Sequence, residues 1–582
     1  MSLTEHFKRV IDIWFDGKNR RPFLETIITE VEKNWNNKNI FVIETPTGYG
    51  KSTISATIAL YSLKDEFKSI ITFPLRTLLE DQFEKFKKLV NENLLGKRYM
   101  HNPDSRYLIK PITLTTIDTL ALTLFGIPPE DLDKVVRYWS GTSSGSLGHY
   151  LFSWMSVVLS NIVLDEVHLL ADSVKSLNFL IALMKIAIDN DQKLFLMSAT
   201  IPEVFKRILE KIMSPQADKL LFIKFESKYD QEFIKERASK KYKIILTPLK
   251  KETKFNEIAK WVKEEIKKYP KVIVVFNTVN DAIKFYKRIK DEINDNVEKI
   301  LLHSRFNEKD RRRKSMTLRG LNKNYIIVST QVIEAGVDIS SNLFITELAP
   351  ANSLIQRLGR FLRYEGERKG KIYIWYEVDD SNILKRDPDN KYKVYDWNLS
   401  NKTLIKLQEI KDKLNIHIAE SYKTLLDNVY DEKDFRVNID EINDLTSILM
   451  NLEFGSLKAV EKFFYLEGSF VRSSLIAPVI PSNFIKKSHA DYIEMNVKEL
   501  SQLMIPLNFR ILKKLKPCKE IILKKDKERE EEKIKVINFD SGFLFSEREL
   551  IKHMIRNSVL AFVLDKSYSN EFGLVLGELN DK

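Results

Sequence analysis

The stretch that decides the fold of this chain is Ile40-Phe41-Val42-Ile43-Glu44-Thr45-Pro46-Thr47-Gly48-Tyr49-Gly50-Lys51-Ser52. An apolar strand runs directly into a glycine-containing turn, and a helix should begin where the turn ends. Backbone N–H groups and a helix N-terminus at such a turn wrap phosphates, and glycines permit close approach. We therefore expect Lys51 to reach the β and γ phosphates of a nucleotide and Ser52 to place its hydroxyl on Mg²⁺. A generic phosphate loop has glycine where this chain has Thr45.

Short apolar runs alternate with amphipathic helical stretches, and this pattern indicates an α/β fold with parallel sheets. Two series of strands are predicted, the first at residues 40–43, 70–73, 112–114, 162–164 and 194–197, the second at 272–276, 300–302, 325–328, 343–346 and 372–375. Polar joints are predicted at 227–240 and 379–396. The expected domains are therefore residues 1–235, 236–385 and 386–582.

The third domain should be a mainly helical accessory domain. Its predicted helices include 403–414 and 439–452, and its few late strands lie at 542–545 and 560–564. The dense mixture of both charge signs at 524–535 is typical of a solvated helix or the edge of a disordered segment. Two uses stay open for the aromatic run Phe463-Phe464-Tyr465, namely core packing and the stacking of bases.

Composition favours a globular protein with a polyanionic partner. The 582 residues are 43% hydrophobic and 30% charged, and the formal net charge is +13. Because Lys and Arg contacts to phosphate dominate nucleic-acid affinity, this charge points towards nucleic acid. One cysteine, Cys518, excludes an internal disulfide and a multi-cysteine zinc site. Apolar runs are far shorter than the roughly 20 residues that cross a bilayer, and no secretory signal is recognisable, so we expect a cytoplasmic protein.

A pair of carboxylates follows the predicted strand at 162–164. Asp165 and Glu166 stand at its C-terminal end, where ligands bind in open α/β sheets. Asp165 can hold Mg²⁺ and Glu166 can polarise an attacking water, because phosphoryl transfer depends on positioning and charge neutralisation. His168 has no nearby His or Cys with which to form a metal site. We interpret it instead as a coupling residue between nucleotide and nucleic acid.

Arginines cluster in Gln356-Arg357-Leu358-Gly359-Arg360-Phe361-Leu362-Arg363. Arg360 and Arg363 are three positions apart, which predicts that they share one helical face. A cationic pair from a second domain is what an arginine finger requires, and such a finger contributes roughly 10³ to 10⁵ in rate. Because the pair would reach the phosphate only when two folds close, hydrolysis would be tied to domain motion. The segment from Thr330 to Asp338 is predicted to touch both nucleic-acid phosphate and nucleotide.

In their order and spacing, these motifs resemble those of superfamily two helicases of the DEAD/DEAH type, over about residues 20 to 376. More narrowly, the chain is similar to the CRISPR-associated helicase of type I interference systems. The segments that carry this likeness are 47–52, 165–168, His303-Ser304-Arg305-Phe306 and Glu334-Ala335-Gly336-Val337-Asp338. The resemblance implies two tandem RecA-like domains. It also implies an ATP-dependent and Mg²⁺-dependent helicase or translocase on single-stranded DNA, with 3′ to 5′ polarity.

With the resemblance, each motif residue receives an expected role. The catalytic residues are Lys51, Asp165, Glu166, Gln356, Arg360 and Arg363, and the metal ligands are Ser52 and Asp165. The nucleotide-binding residues are Thr47, Gly48, Tyr49, Gly50, Lys51, Ser52, Thr53, Gly336 and Asp338. The nucleic-acid contacts are Pro74, Arg76, Thr116, Asp118, Asn277, Thr278, His303, Arg305 and Thr330. The coupling residues are His168, Ser198 and Thr200.

Two departures from the family pattern shape these expectations. Many relatives have a glutamine that reads adenine where this chain has Leu24-Glu25, so adenine selectivity stays open. About 40 residues precede the phosphate loop and no His-Asp dipeptide occurs. The histidine-aspartate nuclease is therefore expected to be a separate subunit, which acts with the helicase at an RNA-guided effector complex.

Two alternative functions stay open at the level of sequence. The first is a DEAD/DEAH helicase that acts on RNA or in DNA repair, since strand contacts go largely to phosphate and do not report the sugar. The second is an ATP-gated scaffold that recruits a nuclease to an effector complex without processive unwinding.

Overall fold

A computed structural model gives the fold of the chain. It describes all residues except 18–20, 65–66, 75, 100–103, 130, 140–150, 172, 294–295, 322–323, 335–336, 387–393, 451–454, 486–490, 526–531 and 578–582. Gly336, which is predicted to contact the nucleotide, lies outside the described residues.

A seven-stranded parallel sheet forms the first α/β unit. Its strands are β1 (Ile40–Glu44), β2 (Lys68–Phe73), β3 (Leu95–Arg98), β4 (Ile112–Thr116), β5 (Ser160–Asp165), β6 (Leu194–Ser198) and β7 (Leu220–Lys224). They lie in the order β3-β4-β2-β5-β6-β1-β7. All five predicted strands are confirmed. The edge strand β3 escaped prediction because its residues, Leu-Gly-Lys-Arg, contain no apolar run.

Helices cover both faces of this sheet, as parallel sheets require. They are α1 (Leu3–Phe15), α2 (Pro22–Asn34), α3 (Lys51–Lys64), α4 (Arg76–Phe86), α5 (Ile117–Leu124), α6 (Leu132–Trp139), α7 (Leu151–Val158), α8 (Val174–Asp189) and α9 (Glu203–Met213). The side chains of β1 alternate between two hydrophobic clusters, with Ile40 and Val42 in one and Phe41 and Ile43 in the other. The carboxyl ends of the strands remain the edge at which a ligand can bind.

A short helix, α10 (Gln231–Ala238), leads to the second α/β unit. The predicted joint at 227–240 does lie between the last strand of the first sheet and the first strand of the second, and it contains this helix, in which Asp230 is the cap and Phe233 is buried. The predicted limit at residue 235 falls inside α10. The domain limits themselves stay predictions.

The second α/β unit is a six-stranded parallel sheet with the strand order β10-β11-β9-β12-β13-β8. Its strands are β8 (Lys241–Leu249), β9 (Lys271–Val275), β10 (Glu298–Leu302), β11 (Tyr325–Ser329), β12 (Leu343–Glu347) and β13 (Lys369–Glu377). Its helices are α11 (Lys254–Glu265), α12 (Val279–Glu292), α13 (Glu308–Arg319) and α14 (Ala351–Leu358). The five strands of the second series are confirmed, and β8 adds an edge strand to them.

The C-terminal region begins with four helices, as expected. They are α15 (Trp397–Ile410), α16 (Ala419–Val429), α17 (Ile439–Met450) and α18 (Gly455–Tyr465). In α18, Phe463 is buried in the core whereas the side chain of Tyr465 is 71% exposed. Core packing is thus the observed use of Phe463.

A five-stranded mixed sheet and a small hairpin follow these helices. The sheet has the order β15-β14-β18-β16-β17, and its strands are β14 (Ile476–Pro481), β15 (Ile505–Asn508), β16 (Lys519–Lys525), β17 (Glu532–Asn538) and β18 (Val559–Leu564). The remaining elements are α19 (Val497–Leu503), α20 (Phe509–Leu515), α21 (Glu547–Arg556), β19 (Tyr568–Ser569) and β20 (Gly573–Leu574).

Two sequence expectations are wrong in this region. Residues 542–545 lie in a 3₁₀ helix, Ser541–Phe545, because Asp540 caps it by accepting a hydrogen bond from Gly542. For 524–535 the helix alternative is wrong at the described ends, which belong to the antiparallel pair β16 and β17, because Ile534 and Val536 face a hydrophobic cluster. The other alternative, the edge of a disordered segment, stays a prediction, since residues 526–531 lie outside the described residues.

The C-terminal region contacts both α/β units. Helix α17 packs on α8 of the first unit, and the ring of Phe470 lies 4.3 Å from that of Phe125. The terminal hairpin reaches the second unit, where Leu574 donates a backbone hydrogen bond to the Arg305 carbonyl. The region therefore bridges the two sheets.

Candidate active site

Strand β1 delivers the phosphate loop to the carboxyl edge of the first sheet. All five residues of β1 are buried, and α3 begins at Lys51, directly after the turn. Gly48 and Gly50 have φ angles of 75° and 116°, which other residues rarely adopt. A Cβ on Gly50 would also lie 3.0 Å from Cδ1 of Leu24. The backbone of the turn therefore requires both glycines.

Lys51 lies against the carboxylate pair that follows β5. Its Nζ is 2.6 Å from Oε1 of Glu166 and 3.7 Å from Oδ1 of Asp165. Burial lowers the pKa of Lys51, but the two carboxylates outweigh burial and raise that pKa above its ordinary value. Burial and the neighbouring Glu166 raise the pKa of Asp165 to about 6, against the opposing effect of Lys51. The three side chains form one compact charged cluster beside the loop.

The donor atoms of this cluster suit Mg²⁺. Asp165 offers a carboxylate and Ser52 a hydroxyl, and Mg²⁺ is usually held by one or two carboxylates together with substrate phosphates. Oε2 of Glu166 is buried without a hydrogen-bond partner among the described residues. The same part of the chain contains no group of three or more His, Cys, Asp or Glu side chains that could hold a metal. Ser52 and Asp165 thus fit a shared metal and phosphate site better than an all-protein cage.

A line of hydrogen bonds leads from His168, whose Nδ1 lies 3.5 Å from Oε2 of Glu166, to the second unit. Nδ1 of His168 is 3.0 Å from Oγ of Ser198, which also accepts a hydrogen bond from the backbone N–H of Thr200. Nε2 of Gln356, on α14, donates to Oγ1 of Thr200 over 3.1 Å. Burial lowers the pKa of His168 to about 4, so its ring is neutral at neutral pH. The predicted coupling residues are thereby brought together with Gln356.

The two arginines of the predicted pair take different positions. Helix α14 ends at Leu358, so the prediction that Arg360 and Arg363 share a helical face is wrong. Arg360 donates to the backbone carbonyls of Ile333 and Glu334, each over 3.1 Å. Its guanidinium therefore holds the segment before Asp338.

Arg363 lies against the phosphate loop. A Cβ placed on Gly48 would be 3.9 Å from both Cζ and Nη2 of Arg363. Nε of Arg363 pairs with Asp338 over 3.1 Å, whereas Nη1 is buried and has no hydrogen-bond partner within the described part of the chain. Nearby, a Cβ on Gly359 would come 3.2 Å from Oγ1 of Thr47. The second unit therefore touches the loop through Gly359 and Arg363.

Sequence reasoning did not select Arg357, which is the most connected residue of this segment. Its side chain is fully buried and pairs with Glu334 over 2.9 Å. It also donates to Oδ1 of Asn277 over 2.7 Å and to the hydroxyl of Tyr395 over 2.8 Å. The quoted arginine motif contains Arg357. Tyr395 comes from the C-terminal region, and its place could not be read from local sequence.

The predicted nucleic-acid contacts of the first unit lie after β2 and β4. Pro74 and Arg76 follow β2, and Thr116 and Asp118 stand where β4 passes into α5. Both carboxylate oxygens of Asp118 accept hydrogen bonds from Arg472 of the C-terminal region, over 2.8 and 2.6 Å. Asp118 thus ties the C-terminal region to the first unit.

The predicted contacts of the second unit are mostly engaged inside the protein. Asn277 accepts from Arg357, and Thr278 caps α12 by accepting from the N–H of Asp281. Thr330 is 1% exposed. Arg305 donates to Oδ1 of Asn280 over 2.7 Å.

His303 is buried and does not face solvent as a strand contact would. Its ring is 2% exposed, stacks on Phe306 at 4.3 Å, and lies 3.0 Å from the Phe572 carbonyl through Nε2. The contact of His303 with nucleic acid therefore stays a prediction, and it would require the terminal hairpin to move. The hairpin covers His303, and residues so distant in sequence gave no local signal of that packing.

Comparison with known proteins agrees with this arrangement. Residues 25–208 match the DEAD/DEAH box helicase family, and residues 268–366 match the C-terminal part of the CRISPR-associated nuclease/helicase Cas3. Over these residues the chain is thus similar to DEAD/DEAH box helicases. In its second unit it is similar, more narrowly, to the CRISPR-associated nuclease/helicases of the Cas3 type.

Curated relatives show the same similarity. A putative CRISPR-associated nuclease/helicase Cas3 of Methanocaldococcus jannaschii is 28% identical over 439 residues, which cover 70% of this chain and 54% of that protein. A CRISPR-associated helicase Cas3 of Thermoproteus tenax is 24% identical over 364 residues, which cover 59% of this chain and 56% of that protein. The chain therefore spans about half the length of these curated relatives.

A solved structure shares the fold. The crystal structure of T. fusca Cas3 superposes with a TM-score of 0.64 at 15% identity, over 99% of this chain and 70% of that one. Among the helices that the structure describes, none is both long and apolar enough to span a membrane.

Proposed function

We propose that this chain hydrolyses ATP, with Mg²⁺, to move along single-stranded DNA and separate duplexes in type I CRISPR interference. The observation that carries the proposal is the placement of Arg363. Its unpartnered, buried Nη1 belongs to the second unit, yet its guanidinium lies against Gly48 of the phosphate loop. An arginine supplied across a domain boundary is the feature that makes phosphoryl transfer depend on closure.

Each side chain of the cluster has a role in this reaction. Lys51 exchanges its carboxylate partners for the β and γ phosphates, and Arg363 stabilises the charge that develops on the transferred phosphoryl group. Glu166 orients the attacking water and accepts its proton. Ser52 and Asp165 would hold Mg²⁺, which neutralises phosphate charge when bound. We assign no residue to recognition of the nucleotide base, since Leu24 and Glu25 stand where many relatives have the glutamine that reads adenine.

The structural change that accompanies hydrolysis can pass between the units through the hydrogen-bonded residues from His168 to Gln356. That line of hydrogen bonds joins His168, which lies 3.5 Å from Glu166, to α14 of the second unit. Opening one base-pair step takes on the order of 1.4 kcal/mol, so both units must hold the same strand during closure. Arg76 and Asp118 of the first unit and Arg305 of the second are the proposed contacts on the basis of the resemblance.

We propose DNA as the substrate, 3′ to 5′ movement and the partners on the basis of the resemblance. The cytoplasmic location is proposed from the apolar runs of the sequence, which are too short to cross a bilayer. The names of the relatives include CRISPR-associated nuclease/helicase and CRISPR-associated helicase. We infer that the nuclease step is carried out by a separate histidine-aspartate subunit at an RNA-guided effector complex. The net charge of +13 supports a polyanionic partner.

Lys51→Ala tests the proposal, with Lys64→Ala as its matched control. Both lysines are on α3, but Lys64 is exposed in the last turn. We expect Lys51→Ala to abolish ATP hydrolysis and strand displacement on a forked DNA, and Lys64→Ala to retain both. Near-normal turnover by Lys51→Ala would refute the mechanism.

Two further comparisons separate the alternatives. Stronger ATPase stimulation by single-stranded RNA than by DNA of equal length would favour the RNA helicase. ATP-dependent recruitment of a histidine-aspartate nuclease without strand displacement would favour the scaffold.

A further inference from the structure

Arg363 lies beyond the C-terminal end of α14, so the helix itself does not fix its position. The helix ends at Leu358, and Leu362 has a φ of 45°, a left-handed conformation that is unfavourable for a residue with a side chain. A residue persists in such a conformation only where its surroundings enforce it. The contacts around Leu362 and Arg363 therefore decide where the guanidinium points.

Two positively charged side chains, Arg237 and Lys240, lie in the connection between the sheets and donate hydrogen bonds to the backbone carbonyls of residues 362–364. Nη1 of Arg237 donates to the Arg363 carbonyl over 3.0 Å and to the Leu362 carbonyl over 3.5 Å. Nζ of Lys240 donates to the Leu362 carbonyl and, over 3.0 Å, to the Tyr364 carbonyl. Both side chains are nearly buried, at 9% and 4% exposed. Three consecutive carbonyls are thereby tied to the end of α10 and the residues after it.

The other end of α10 is tied to the phosphate loop. Asp230 caps the helix through Oδ1, and its Oδ2 accepts a 2.7 Å hydrogen bond from the hydroxyl of Tyr49. Tyr49 is 1% exposed, and its ring packs edge-on against Phe233 of the helix at 5.0 Å. The guanidinium of Arg237 lies 5.0 Å from the centre of the same Phe233 ring.

We propose that α10 is a strut between the phosphate loop and Arg363, and that Arg237 and Lys240 are positioning residues for the finger. The strut runs from Tyr49 through Asp230 and the helix to Arg237. It sets the distance between the phosphate loop and the finger segment, which is residues 362–364, and it does so from the side of α10. The inference rests on the proposed function, since it gives a role to two residues only if Arg363 acts in hydrolysis.

Arg237→Ala is the test, and Arg368→Ala is its control. Arg368 also contacts this connection, through Ser239 and the Glu236 carbonyl, but it is exposed and donates no bond to the finger segment. We expect Arg237→Ala to lower kcat by about 10- to 100-fold, as a misplacement near 1 Å does, with an unchanged Kd for ATP. Arg368→Ala should keep the wild-type kcat. Arg237→Lys, which retains a cationic donor, should recover part of the loss.

A double variant separates positioning from mere structural damage. In an Arg363→Ala background, single-turnover hydrolysis should not fall further when Arg237→Ala is added, because the two act through one group. Additive losses, or wild-type kcat in Arg237→Ala, would overturn the strut. If Arg363→Ala alone keeps wild-type kcat, the proposed role of the finger fails, and the strut loses its function with it. A normal thermal midpoint for Arg237→Lys guards against a folding defect.

Discussion

Arg363→Ala should remove the charge that the second unit presents to the transferred phosphoryl group. An arginine finger contributes roughly 10³ to 10⁵ in rate, which corresponds to about 4 to 7 kcal/mol of transition-state stabilisation. Because Nη1 of Arg363 has no partner among the described residues and Nε has only the exposed Asp338, little folding free energy should be lost. We expect kcat to fall by that factor while the thermal midpoint and the Kd for ATP stay close to wild type.

Arg360→Ala is the natural contrast, because it removes a neighbouring arginine with structural bonds. Its guanidinium satisfies the carbonyls of Ile333 and Glu334, and a buried acceptor left without a donor costs about 1 to 3 kcal/mol. This variant should therefore lose thermal stability as well as activity.

Steady-state hydrolysis with saturating single-stranded DNA measures kcat. Nucleotide titration measures the Kd for ATP, and thermal unfolding measures the thermal midpoint. A single-turnover assay extends the range to the slow variant. If Arg363→Ala retained more than about one-tenth of the wild-type kcat, the assignment of a finger would be wrong. If Arg360→Ala were fully stable but inactive, the two roles would have to be exchanged.

Two other perturbations probe distant features of the fold. Gly573→Ala should release the terminal hairpin, because the φ of Gly573 is 68° and a Cβ there would lie 2.8 Å from both the Arg305 carbonyl and Cε1 of His303. Gly577→Ala is the control for the backbone effect, because Gly577 has a φ of 77° and a Cβ there would have no described atom within 4 Å. Faster proteolysis of the hairpin in Gly573→Ala alone is expected, and equal proteolysis in both variants would contradict the contact. Burial raises the pKa of Glu347 to about 7, so its contribution to stability is complete below pH 4.5 and is lost as the pH rises to about 7. The thermal midpoint of wild type relative to Glu347→Gln should therefore decline over that window, and a flat difference would refute the raised pKa.

Local sequence carried the parts of the site that depend on short segments. The strand-turn-helix around Lys51 is encoded by an apolar run, two glycines with positive φ and a helix start, all within 13 residues of Ile40 to Ser52. The carboxylate pair likewise follows its own strand. Because each feature depends on neighbours in sequence, periodicity and turn chemistry were enough to predict them.

Local patterns failed where distant segments meet. Spacing suggested that Arg360 and Arg363 share a helical face, but α14 ends before both. His303 was predicted to contact nucleic acid, and local sequence gave no sign that Phe572, 269 residues away in the chain, covers it. Likewise, Arg237 lies in a stretch whose composition indicated only a polar joint.

The sequence by itself determined two parallel sheets, the phosphate loop and the order of the motifs, because alternating apolar runs and turn residues act over a few positions. Tertiary structure alone decided which arginine faces the loop, which predicted contacts are buried, and how α10 connects the loop to Arg363. Those outcomes depend on the packing of segments more than 100 residues apart, such as Tyr49 with Asp230 and Arg237 with Arg363. Such contacts form only when the two sheets and the connection between them are in place.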